Sequence, residues 1–198
     1  MRREEVLRNH WFFSQEMGKE EALAPDFQRE NWQAIQVPHD WSIYNDFDQY
    51  SPAQNEGGQL NGGQAWYWTQ FYLEEDASLV SVRLLFDGVY MNSQVYINGQ
   101  VLGYYPNGYA PFSYDITPYL RNDGTANQLA VFVDNQQPSS RWYSGSGIYR
   151  EVKLLISDSV HLDLYGIKIE SPKLKEQRDR WVETQLTSKV SNDGPQSV

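Results

Sequence analysis

A chain of 198 residues, 40% hydrophobic and 21% charged, is long enough for one large domain or for one domain with a piece of another, and it is apolar enough to build a real core. Its net charge of −10 argues against nucleic acid and anionic membranes as partners, because both are bound by basic surfaces. With no cysteine, disulfides, thiol catalysis and Cys-based zinc sites are excluded together.

The start, MRREEVLRNHWFF, has no apolar signal core, and no run of about 18 apolar residues follows anywhere. The expectation is therefore a chain without signal peptide or transmembrane helix, with a cytoplasmic location favoured. Residues 1–60 show little periodicity. WFFS (11–14) reads as a short strand, NWQAIQVPHDWSI (31–43) alternates weakly until Pro38, and 45–63 is polar and glycine-rich loop. From there the β signal is regular: AWYWTQFYL (65–73), SVRLLFDG (81–88), NQLAVFVDN (127–135) and EVKLLIS (151–157) are runs rich in aromatic, branched and other apolar residues, bounded by turn residues. Between them, MNSQVYINGQVLGYY holds Asn98-Gly99, the pair that a type I′ hairpin turn favours. PFSYDITPYL (111–120) starts extended and then offers a short helical turn, with Thr117 as its cap and Pro118 at the first position. No segment carries a long 3.6-residue apolar stripe. The fold class is all-β: an antiparallel sandwich of jelly-roll kind. After Ser157 the strands change character. SDSVHLDLYGIKIESPKL and RWVETQLTSKVSNDG flank the charged turn KLKEQRDR, and about forty residues are too few for a sandwich needing roughly 100. We therefore divide the chain into a first domain, 1–158, and the opening strands of a second, 159–198, whose open edges favour self-association.

Aromatic residues make up 15% of the chain. Their flat faces suit the C–H face of a sugar ring and equally the core of a sandwich. The densest polar-aromatic segment is RWYSGSGIYR (141–150). It is no dinucleotide loop, since Arg150 stands where the third glycine of G-x-G-x-x-G belongs and a strand follows. Nor is it a nucleophile elbow, because Ser146 is flanked directly by glycines. Asp40, in PHDW, is a second candidate: its carboxylate suits sugar hydroxyls, a turn cap or an arginine. The three histidines, His10, His39 and His161, lack metal-ligand spacing, and the Asp46/Asp48 pair is a weak cation signal; no metal and no cofactor are expected. Asp87-Gly88 and Asn92 read as structural residues at strand ends, while Tyr90 and Trp66 fit either core or pocket.

Four blocks in fixed order, PHDWSI (38–43), FDGVYMNSQVYINGQVLG (86–103), GYAPFSYDIT (108–117) and VDNQQPSSRWYSGSGIYREVKL (133–154), carry a resemblance. The chain resembles the N-terminal sugar-binding domain of glycoside hydrolase family 2, and most closely that of its bacterial β-galactosidases, over nearly all of residues 9–160. One departure is GGQLNGG (57–63), where relatives usually carry a proline. The resemblance implies a galactose-binding-like jelly roll, then an immunoglobulin-like sandwich, which residues 160–198 would begin, then a TIM barrel holding two catalytic glutamates beyond Val198. No catalytic residue, and no turnover by this chain alone, is thus expected. It further implies that the loop before the last jelly-roll strand lines the sugar pocket. By position Arg141 is the foremost substrate contact and Ser140 the next, with Trp142 and Tyr143 walling the pocket or bracing the domain interface. Arg141 offers five fixed donors for vicinal hydroxyls. The implied partners are a β-galactoside and the C-terminal domains. An independent carbohydrate-binding module, a β-glucuronidase or β-mannosidase-type member, and a ligand-free scaffold sandwich are the alternatives.

Overall fold

A computed structural model of the protein describes residues 2–16, 18–24, 31–138, 142–172 and 182–194. In chain order its elements are β1 (Arg2–Val6), β2 (Trp11–Ser14), α1 (Lys19–Leu23), β3 (Gln33–Ile35), β4 (Gly63–Phe71), β5 (Val80–Phe86), β6 (Ser93–Ile97), β7 (Gln100–Tyr105), β8 (Phe112–Asp115), β9 (Asn127–Asn135), β10 (Val152–Asp158), β11 (Val160–Glu170) and β12 (Gln185–Asn192). Single 3-10 turns occupy Ser42–Tyr44 and Thr117–Tyr119. A four-stranded sheet, β1-β10-β5-β8, faces a six-stranded sheet, β3-β2-β4-β9-β6-β7, and β11-β12 forms a separate ribbon. All the pairings are antiparallel, as expected for a jelly-roll sandwich.

The alternation seen in the sequence sends Val82, Leu84 and Phe86 of β5 inward against Val152, Leu154 and Ile156 of β10, and these meet Leu129, Val131 and Val133 of β9 from the other sheet. Trp11 and Tyr67 are fully buried between them and meet edge-on at 6.4 Å. Strand β4 breaks the alternation because it is covered on both faces. Ala65 and Tyr67 face the sandwich core, while Trp66 and Trp68 join Tyr96, Ala130 and Trp32 in a second cluster beneath Ala22 of α1. Trp66 is therefore core.

The Asn98-Gly99 turn has both residues at positive φ, 49° and 79°, as its type requires. Asn98 also donates to the Tyr119 carbonyl at 2.8 Å and accepts from the Gln128 N–H at 2.9 Å, tying the hairpin tip to the sandwich. The turn at 117–119 corrects the expected cap. The capping side chain is Asp115, which accepts the Thr117 N–H at 3.0 Å and its hydroxyl at 2.7 Å. Thr117 Oγ1 instead accepts the Val82 N–H at 2.8 Å, holding the turn to β5. Strand β1, RREEV, escaped the apolar pattern because it is an edge strand, where charge suppresses unwanted pairing. Asp87 pairs with Lys153 at 2.8 Å, and Asn92 donates to the Asp134 carbonyl at 3.1 Å, so both hold strand ends.

In the β11-β12 ribbon, register puts Leu162 opposite Val190 and Ile169 opposite Leu186. One face therefore carries Val160, Leu162, Ile167, Ile169, Leu186 and Val190, all exposed, and the other face is polar. Between Leu162 and Ile167 the register shifts: residues 163–166 bulge out opposite Lys189 alone.

Candidate functional site

The loops at one end of the sandwich bring residues 38–46, 57–62, 90–92, 107–109, 135–138 and 142–147 together. His39 donates its N–H to the Ile148 carbonyl at 2.7 Å and Trp41 to that of Ser146 at 3.1 Å. Tyr90 and Gly147 exchange both backbone bonds, at 2.9 and 2.8 Å. The PHDW segment, the strand end at Tyr90 and the S-G-S-G stretch are thus laced into one unit. Gly147 is obligatory there: its φ is 117°, and a Cβ would lie 2.1 Å from the Tyr67 hydroxyl and 2.9 Å from the His39 carbonyl.

Asp40 is the hub of this unit. One carboxylate oxygen accepts the Ser42 N–H at 3.0 Å and the Ser146 N–H at 2.9 Å; the other accepts the Tyr143 hydroxyl. A Cβ on Gly145 would stand 3.0 Å from that second oxygen, so the loop passes directly over the carboxylate. Burial, and then the Asp40 carboxylate beside it, hold the Tyr143 phenol well above the ordinary tyrosine range, which keeps it a donor. Asp40 thus both caps the turn at Ser42 and bonds the aromatic loop.

Behind it lies a buried polar web. Asn135 donates through Nδ2 to Ser146 Oγ at 2.7 Å and to the Gly145 carbonyl at 3.2 Å. Ser146 and Ser42 share a hydroxyl bond at 2.6 Å, and Ser42 Oγ lies 2.9 Å from the Asn61 carbonyl. One hydrogen per hydroxyl settles the direction: Ser42 donates to Asn61, so Ser146 donates to Ser42. Gln137 accepts the Gly62 N–H at 3.0 Å, and Trp41 donates to the Gly62 carbonyl at 3.1 Å. His39, 8% exposed, meets the Tyr67 hydroxyl at 2.8 Å and stacks on Tyr44 at 5.8 Å. Burial lowers its pKa from 6.5, with the Asp40 charge opposing, and burial raises that of Tyr67.

The outer surface of these loops is aromatic. Tyr44, Phe47, Tyr50, Tyr109 and Trp142 are each more than half exposed, and Tyr143 is 42% exposed. Between Tyr90, Asn135, Ser146 and the Trp142–Gly145 backbone there is a cavity of only about 10 Å³, room for one water and not for a sugar. Along the same end, Gln15, residues 45–50, Gln59, Asn61 and Gly62 line a groove of about 800 Å³, so the described residues form an aromatic wall beside a groove open to solvent.

The two segments singled out in the sequence, around Asp40 and around Trp142, do meet here. Arg141 and Ser140 lie outside the described residues. Tyr90 is 3% exposed and lines the small cavity. Asp48 accepts the Tyr50 N–H at 2.8 Å and the Asn61 side-chain amide at 3.5 Å, and among the described residues no three His, Cys, Asp or Glu side chains converge. Sequence reasoning missed Ser42, Asn135 and Gln137. Asn135 carried a signal, a polar residue closing the apolar run LAVFVD, but its partners are distant in sequence.

Comparison with known proteins follows the same lines. The chain is 45% identical over 159 residues to β-galactosidase BoGH2A of Bacteroides ovatus, covering 80% of this chain and 19% of that protein. It is 40% identical over 161 residues to a putative β-glucuronidase of Formosa agariphila, covering 78% and 15%. Among solved structures, a β-glycosidase from Bacteroides vulgatus superposes with a TM-score of 0.86 at 37% identity, over 96% of this chain and 24% of that one. The Bacteroides uniformis β-glucuronidase gives 0.81 at 28% identity, over 98% and 23%. The chain therefore spans about a fifth of the length of the relatives it matches. The model of the glycosyl hydrolases family 2 sugar binding domain matches residues 5–158. With that match and these relatives, the chain belongs to glycosyl hydrolase family 2, as its N-terminal sugar binding domain.

Proposed function

We propose that this chain is the non-catalytic, substrate-side domain of a retaining β-galactosidase, and that residues 159–198 begin the immunoglobulin-like sandwich linking it to a catalytic barrel. The observation that carries this reading is the loop end itself. A carboxylate-centred web holds an exposed aromatic wall in place, and beside it the described residues form a cavity the size of one water and a groove of about 800 Å³ that is open to solvent. A wall of this kind works when a second surface closes it. On this reading the barrel supplies the two carboxylates, about 5 Å apart, that act as acid/base and nucleophile. Arg141, Ser140 and Trp142 would be this domain's contacts to the sugar. Asp40, its oxygens already engaged by three donors, sets the loop that carries them. A β-glucuronidase-type parent is the second reading, favoured by the 40% identity to the putative β-glucuronidase.

The test has two parts. The chain alone should not hydrolyse a chromogenic β-galactoside above the buffer rate, since it lacks both groups the mechanism needs; saturable turnover surviving repurification would overturn the proposal. In the longer enzyme, Arg141→Ala should lower kcat/KM by about 1.5–3 kcal/mol, the worth of a charged hydrogen bond. Unchanged kinetics would remove Arg141 from the pocket. A parent that turns over glucuronides far faster than galactosides would select the second reading.

A further inference from the structure

The outer face of the four-stranded sheet holds a cation without a carboxylate. Alternation along β5 turns Val82, Leu84 and Phe86 inward and leaves Arg83 and Leu85 outside. Register sets Arg83 opposite Asp115 of β8, and Leu85 opposite Ser113. A cross-strand Arg–Asp pair is the ordinary outcome of such a register. It does not form, because Asp115 is spent capping Thr117. The next carboxylate, Asp163 in the bulge of β11, is held by Lys189 at 2.5 Å and by the Ser191 hydroxyl. Arg83 is left with one long bond, from Nη1 to Ser113 Oγ at 3.4 Å, and among the described residues no ion pair reaches it.

The bulge arches over this spot and closes a cleft of about 220 Å³, lined by Arg83, Leu85, Phe112, Ser113, Leu164 and Tyr165 together with Pro111 and Asp163. It shares no lining residue with the small cavity beside Tyr143. A half-buried guanidinium with most of its five donors unused favours an anion, and its planar fork fits a carboxylate on two parallel bonds. The remaining walls are mostly apolar or aromatic, with the Ser113 and Tyr165 hydroxyls and the Asp163 carboxylate, whose charge Lys189 offsets; the apolar faces and hydroxyls suit the C–H face and ring hydroxyls of a pyranose. At about 220 Å³ the cleft falls below the roughly 300 Å³ where pockets for larger ligands begin, so it admits one ring and not an oligosaccharide. We propose that this cleft is a second, non-catalytic sugar site that takes a single carboxylated ring, a uronate: Arg83 grips the carboxylate, Ser113 a hydroxyl, and Tyr165 and Leu164 cover the ring. This assignment stands apart from the role of the loop end.

The experiment is a titration of the whole chain with methyl β-glucuronide and methyl β-glucoside, followed by amide NMR. The expected result is saturable shifts at Arg83, Ser113, Leu164 and Tyr165, with the glucuronide bound about tenfold or more tightly, since the glucoside differs only in carrying a neutral hydroxymethyl group in place of the carboxylate. Arg83→Gln should abolish that preference while leaving the melting temperature unchanged, because Arg83 holds only one long bond. Tyr165→Ala should weaken both sugars. The proposal falls if the glucuronide gives no saturable shift, if both sugars bind alike, or if Arg83→Gln binds as before. It falls equally if acetate competes as tightly as the glucuronide, which marks a bare anion site, or if the shifts cluster at Asp40 and Tyr143.

Discussion

Replacing Gly147 by alanine puts one methyl group where three elements cross. The φ of 117° is a conformation that side-chain-bearing residues rarely adopt, a cost of about 1–3 kcal/mol. The new Cβ would also lie 2.1 Å from the Tyr67 hydroxyl, 2.9 Å from the His39 carbonyl and 3.0 Å from Trp41. Tyr67 is fully buried and the His39 carbonyl belongs to backbone laced to Ile148, so neither yields freely; overpacking adds about 1–3 kcal/mol. The total is about 2–6 kcal/mol, which for a chain of this size lowers Tm by roughly 4–24 °C. Gly99→Ala is the internal control. Its φ is 79°, with nothing within 4 Å of the added Cβ, so only the backbone cost applies. Calorimetric melts of both variants and the parent test the argument, with amide NMR reporting whether Tyr90, His39 and Ser146 shift together. If Gly147→Ala melts with Gly99→Ala, or if the disturbance stays within residues 145–149, then the loops are not coupled through this crossing.

Further outcomes follow from the same contacts. Asp40→Asn should cost about 1.5–3 kcal/mol and Tyr143→Phe about 0.5–1.5 kcal/mol, and the double variant should lose less than their sum by at least about 0.5 kcal/mol; strict additivity in denaturant melts would mean the bond between them contributes nothing. Burial depresses the pKa of His39 below 6.5, so the unfolded chain binds a proton there before the folded one does. Its share of stability is therefore complete above pH 6.5 and is lost as the pH falls through the folded pKa; His39→Gln should flatten that acid limb of the Tm–pH curve, and an unchanged slope would assign it elsewhere. The apolar face of the β11-β12 ribbon should drive the chain to self-associate, and Ile169→Lys with Leu186→Glu should return it to a monomer at unchanged sandwich stability. Light scattering that finds the parent already monomeric at high concentration contradicts this.

Strands β5, β9 and β10 were legible because each buries one full side of an alternating pattern, and the Asn98-Gly99 hairpin because its turn has a narrow chemistry. Strand β4 was legible as a strand but not as a two-sided one. Its Trp66 and Trp68 face a cluster that exists only once α1 and Trp32 fold over the sheet. Charged β1 was silent, since its place is earned by backbone pairing at an edge and not by apolar side chains. At the candidate site the sequence pointed to Asp40 and to the Trp142 loop separately. Nothing local says that Asp40 accepts from Ser146 and Tyr143, more than a hundred residues away, or that Asp115 would abandon Arg83 for Thr117. Such choices among competing partners are made by tertiary geometry.

Asn135 and Ser146 are joined side chain to side chain, and Asn135 also holds the Gly145 carbonyl. The end of β9 is thereby clasped to the segment that leads back into the sandwich, much as the two ends of an antibody binding loop are held by their framework. Between them, Gln137 holds the Gly62 N–H and Tyr143 the Asp40 carboxylate, so those two positions are tied to the loop end, while Trp142, which is largely exposed, can change its chemistry with the clasp in place. The clasp thus separates the exposed chemistry at Trp142 from the buried bonds that hold the loop end together.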